Sequence, residues 1–312
     1  GEVPVMVALR LFVPESWTSN PVRLKRAGVP VEHRAARTKP EIALAEIDRV
    51  MAAGMRFGCV LADAEYGKAA DFRRGLGERR LSFAVGILPT QKAYPANVTL
   101  DHPERKPTGR WRKHPTPSAP SVGAAELIEA RPEAFRTISW RTGTKGLLKA
   151  AFAAMRVRVA DGPVATGGQH LPGEEAWLIG EHRATGERKY YLSNLPAEAS
   201  LETLAALIKA RWVCEQMHQQ MKDELGLDHF EGRSWRGLHH HALLCQLAFA
   251  FLQHLRLGGK KRQHPIRARA AAPAKPARHP PPHHGRAQPH APALPALPAA
   301  LRASPPVMNV AG

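Results

Sequence analysis

The chain has 312 residues, 44% of them hydrophobic, enough for one large or two modest domains around a sizeable core. Its formal net charge of +18 points to a polyanionic partner, most simply nucleic acid. No apolar run is long enough to span a bilayer and no signal-peptide pattern opens the chain, so no membrane partner is expected and a soluble, cytoplasmic protein is.

The charge is uneven. From Lys260 onward there are nine Lys/Arg and no acid, so half of the excess lies in the tail and +9 remains on residues 1–259. Cys59, Cys214 and Cys245 show no paired spacing and read as buried thiols of a reducing compartment. Without a CxxC pair, a structural zinc site is not expected. The first residue is Gly inside a strand-like run, from which an N-terminally truncated protein is expected.

In chain order, the β-branched run from Val3 to Val13 predicts a strand closed by Pro14, followed by a polar connection to Arg37. Thr38-Lys-Pro-Glu41 predicts a capping box, and Ile42, Leu44, Ile47 and Val50 an apolar helix face ended by Gly54. The apolar run Gly58–Ala62 predicts a strand covered on both faces, ending at Asp63. A turn over residues 64–67, a helix to about Arg80 and a buried strand over Ser82–Leu88 complete an α/β layer. Residues 91–130 lack a steady period and read as loop. Strands are expected near Thr137–Trp140, Met155–Val159, Ala176–Ile179 and Lys189–Leu192, the last two joined by a hairpin turn, with a short helix over Leu147–Ala154. A single long helix is predicted from Ser200 to Leu225, and a largely buried one from Ser234 to Leu257.

This divides the chain into a first core part (1–90), a loop-rich connection (91–130), a β-rich insertion (131–195), C-terminal core helices (196–258) and a basic Pro/Ala-rich tail (259–312) expected to be disordered. The tail reads equally as DNA-holding or as a non-native extension.

Two acids stand out. Asp63 ends a buried strand, where α/β folds place their ligands. Arg211, Glu215 and Lys222 fall on one helical stripe, within an arc of about 40°. Taken alone, each favours the bland reading: a capping Asp, and a surface ion pair between Arg211 and Glu215. Together, a strand-end Asp and a helical Glu are how a two-metal nuclease site is assembled, with oxygen ligands for Mg²⁺ or Mn²⁺. The basic turn containing Trp140, Arg141, Thr142, Gly143 and Lys145 suits phosphate contact, with Arg141 and Lys145 as the cations. Arg156 and Arg158 share a strand face that either grips DNA or is simply solvated. Trp235 is expected in the core, and His239, His240 and His241 are not expected to bind metal.

The spacing Arg211-x3-Glu215-x6-Lys222 matches the last three members of the Tyr-Arg-Glu-Lys signature of bacterial insertion-sequence DDE transposases. "VLADAEYG", "WRTGTKG", "MRVRVADG", "YYLSNLP" and "RWVCEQMHQQMKDELGLDHFEGRSWRGLHHH" resemble one branch of that group in order and spacing, over residues 1–257. The resemblance implies a ribonuclease-H-like core, a mixed sheet flanked by helices and interrupted by the β-rich insertion. It implies cleavage and strand transfer of double-stranded DNA, at transposon ends and target, with two Mg²⁺ (or Mn²⁺) ions, by a homodimer associated with the nucleoid. Carried over, Asp63 and Glu215 become the second and third acids of the triad, catalytic and metal-binding, while Arg211 and Lys222 become phosphate contacts. The signature's Tyr falls at Ile208, and its first acid belongs upstream of Val3. The chain is therefore expected to be inactive or nearly so; the alternative is a non-catalytic DNA-binding remnant.

Overall fold

The computed structural model describes residues 4–102, 114–143, 146–165, 168–261 and 307–310. The architecture is α/β: a mixed sheet flanked by helices, in the strand order β11-β1-β2-β10-β9-β8-β3-β6, with β7 pairing β8 off that path. Two short helices, α1 (Glu15–Thr18) and α2 (Pro21–Arg26), and a 3-10 turn (Val31–His33) precede α3 (Lys39–Ala52). The Thr38/Glu41 capping box starts α3 as expected. Then come β1 (Cys59–Ala62), the single helical turn α4 (Ala64–Gly67), α5 (Ala70–Glu78) and β2 (Phe83–Ile87). β3 (Lys92–Pro95), β4 (Leu100–Asp101), β5 (Thr116–Pro117), β6 (Val122–Gly123) and α6 (Ala124–Glu129) lead to β7 (Arg136–Gly143), β8 (Gly146–Val159), β9 (Glu175–His182) and β10 (Arg188–Ser193). Three helices follow, α7 (Leu201–Ala210), α8 (Trp212–Leu225) and α9 (Trp235–Lys261), and last β11 (Val307–Val310).

Alternation along β1 sorts its neighbours. Val60 and Ala62 face a core built with Ile47 of α3, Phe72 and Leu76 of α5 and Ile128 of α6. Cys59 and Leu61 face the opposite core, built with Leu204, Leu207 and Ile208 of α7. β1 and β2 run parallel, and β10 joins β2 antiparallel, so the strands after residue 131 extend the same sheet.

Several expectations are corrected. Residues 4–13 form no strand; no described strand lies alongside them, and an extended run needs a neighbour for its backbone groups. The 91–130 connection contributes β3 and β6 to the sheet, and also α6. Leu147–Ala154 is strand, because β8 pairs with β7 and β9 along both edges and this pairing overrides the helix propensity of its alanines. The helix expected from Ser200 breaks at Arg211, where a bond from the Arg211 amide to the Ile208 carbonyl tightens the turn. α9 runs through Gly258 and Gly259, and among its described side chains only a stripe of Ala242, Cys245, Phe249 and Gln253 is buried. Leu244 at 66% and Phe251 at 60% exposure lie on its open side. Trp235 is half-buried, tilted against His33 and His239. Val307–Val310 forms a strand within the stretch expected to be tail, while residues 262–306 lie outside the described residues.

Candidate active site

Asp63 continues the alternation of Cys59 and Leu61, so its backbone leads it toward the α7 side of the sheet. Its extended conformation (φ −81°, ψ −175°) ends β1, and its Oδ1 accepts from the Glu65 amide 2.9 Å away, capping α4. Two glycines make this placement possible. A Cβ on Gly86 would stand 2.9 Å from the Ala64 nitrogen and 3.2 Å from the Asp63 carbonyl carbon, and one on Gly67 only 1.9 Å from the Gly86 oxygen. Strand β2 can therefore lie directly beneath the turn that carries Asp63.

Glu215 stands in the first turn of α8, just past the break at Arg211, and pairs with the Arg211 guanidinium. Its side chain is 53% exposed, so this pair contributes at most about 1 kcal/mol and does not lock the carboxylate. Asp63 and Glu215 line one cavity of about 740 Å³, together with Arg141, Arg211, Trp140 and Trp212. The lining holds seven Lys/Arg against three Asp/Glu, an excess of positive charge suited to a polyanion.

The cations are held by different means. The Arg141 guanidinium lies 3.8 Å over the Trp212 ring, and its Nε is buried with no hydrogen-bond partner. Burial lowers its pKa, and it has no carboxylate partner among the described residues. The Lys209 ammonium sits 4.5 Å from the Trp140 ring centroid and pairs with Glu181, which is wholly buried. Glu181 also accepts from Arg183 Nε at 2.7 Å and from the Tyr191 hydroxyl at 2.8 Å. Burial raises the Glu181 pKa, but Lys209 and these donors outweigh it and the net shift is downward. Burial, then Glu181, pushes the Tyr191 phenol up. Burial lowers Lys209, with Glu181 opposing.

Asp63, Arg141, Arg211 and Glu215 are thus brought together. Lys222 is exposed, further along α8, and is not part of the cavity lining; Lys145 lies outside the described residues. Arg156 pairs with Glu175 at 2.6 Å and Arg158 donates to the Gly173 carbonyl at 2.9 Å, so both are engaged within the protein. Lys209, Glu181, Arg183 and Tyr191 were missed. No spacing in the sequence joins them, because they come from β9, the turn after it, β10 and α7.

Residues 1–147 match the DDE superfamily endonuclease family. The similarity covers just under half of the chain. No curated protein matches the chain. DDE endonucleases act on nucleic acid and generally depend on a divalent metal. The matched residues include Asp63 and Arg141 but not Glu215, whose side of the cavity is reached only through the fold. As oxygen donors, the two carboxylates fit a hard divalent cation in type. In number they fall short: the third lining acid, Glu187, is engaged by Arg183 and Lys189. Among the described residues, no group of three His, Cys, Asp or Glu is placed to hold a metal ion. Beside β1, the parallel strand β11 brings Asn309 opposite Leu61, an amide and not an acid.

Proposed function

We propose that this chain is a DDE transposase-type protein of the insertion-sequence group that binds double-stranded DNA in the cavity between β1 and α8. Asp63 and Glu215 would be its metal ligands. The observation that carries this reading is the shared cavity: one acid at a strand end and one on a helix, 152 positions apart in sequence, line a single basic cleft. Those two carboxylates would hold a divalent ion, whose contribution there would be Lewis-acid stabilisation of the phosphoryl oxygens. Arg141 and Arg211 neutralise backbone phosphates, and Trp140 and Trp212 support the cations beside them. Arg211 also balances Glu215 until a metal takes that carboxylate.

With two candidate metal-ligand acids in the cleft instead of three, we expect strand cleavage by this chain to be slow or absent. Titration with Mn²⁺ tests the ligand assignment. Binding that weakens strongly in both Asp63→Ala and Glu215→Ala supports it; binding unchanged by either substitution overturns it. The second reading, a DNA-binding remnant without catalysis, draws on the lack of any three-ligand group among the described residues. It predicts duplex binding with no metal binding at all. Homodimerisation is likewise proposed, on the strength of the outward apolar side of α9.

A further inference from the structure

A carboxylate removed from water is costly unless cations and donors surround it, and a buried ion pair is weak evidence for stability. Glu181 is such a group: fully buried, it gathers the Lys209 ammonium, the Arg183 guanidinium and the Tyr191 hydroxyl. Lys209 and Arg183 both line the cavity that holds Asp63 and Glu215. Lys209 is 10% exposed, and its ammonium is flanked by the Trp140 ring at 4.5 Å and the Phe152 ring at 5.5 Å. Lys209, Arg183 and Lys189 share the two acids Glu181 and Glu187, so the cluster carries one positive charge in excess at the cleft. Lys209 is the last residue but one of α7, two positions before Arg211, so the cluster adjoins the helix break that aims Arg211 and Glu215.

We propose that Lys209, with Arg183 beside it, forms a second phosphate subsite of the cleft, and that Glu181 is the positioning residue that holds them. The ligand is a backbone phosphodiester of the bound duplex, next to the one at the acids. This rests on the reading of the cleft as a DNA site. Sequence spacing gives no hint of it, because Lys209 lies outside the Arg-Glu-Lys motif and Glu181 lies on a distant strand.

The test is duplex binding across a series of KCl concentrations, with wild type, Lys209→Met, Lys209→Arg, Glu181→Gln and Glu181→Gln/Lys209→Met. The double variant removes both buried charges, keeps the net charge of the cleft and guards against misfolding. Each lost phosphate contact lowers the salt-dependence slope by about 0.9, or about fivefold in affinity at 0.15 M salt. We expect that loss in Lys209→Met and in the double variant, and recovery in Lys209→Arg. A slope equal to wild type in the double variant overturns the subsite. Glu181→Gln removes a negative charge; if Glu181 positions Lys209 the slope does not steepen, whereas steepening by about 0.9 makes Glu181 a mere counter-charge and overturns its role. Wild-type binding separates the two failures: no salt-dependent duplex binding by wild type refutes the DNA-site reading itself.

Discussion

Asp63 and Glu215 acquire meaning only as a pair. Each alone has a modest structural explanation, and the structure realises both: Asp63 caps α4 and Glu215 pairs with Arg211. What those roles do not explain is the basic cavity they share. At Ile208, where the signature has Tyr, the side chain is buried against the α7 core and also lines the cavity, so this wall is apolar where a phenol would stand. Arg141 stacks on Trp212 and has no carboxylate partner among the described residues. Arg141→Met should lower duplex affinity and reduce the salt slope by about 0.9, read by binding titrations in KCl. Glu181 gives a pH prediction. Its folded pKa lies below the ordinary value of 4.5, so its stabilising contribution is full above that value and is lost as pH falls through the folded pKa. Denaturant midpoints should therefore drop more on acidification below about pH 4.5 in wild type than in Glu181→Gln. Equal drops would remove Glu181 from the account.

The elements that place Asp63 were largely legible in sequence, because they are specified locally. The Thr38/Glu41 box, the apolar run of β1 and the hairpin glycine at Gly186 each carry their own signal, and each appears in the structure. β8 and α9 were not legible in the same way. Leu147–Ala154 reads as helix until its two partner strands are known, and the leucines of α9 imply burial that no described element provides. The Glu181 cluster was invisible because its members come from β9, the turn after it, β10 and α7. The close approach of α4 to β2 belongs to this scale. Gly67→Ala, whose Cβ would meet backbone, should destabilise by about 1–3 kcal/mol in denaturant unfolding. It should weaken Mn²⁺ binding as well, because Asp63 sits on the displaced turn.

Over the whole molecule, two surfaces stand apart: the basic cleft and the apolar side of α9, where Leu243, Leu244, Leu247, Phe251 and Leu255 are exposed. No helix among the described residues is long and apolar enough to cross a membrane. Light scattering should show association that rises with protein concentration and disappears in Leu247→Glu/Phe251→Glu, with duplex binding per chain retained. A monomer at all concentrations would contradict the proposed homodimer. The central claim is that Asp63 and Glu215 hold one metal centre. Fe²⁺ with ascorbate generates radicals at a bound metal and breaks nearby backbone, which mass spectrometry then maps. The account predicts breaks beside both Asp63 and Glu215, suppressed together by excess Mg²⁺ and by Asp63→Ala. Breaks at one segment only, or breaks at Glu215 that survive Asp63→Ala, would contradict it.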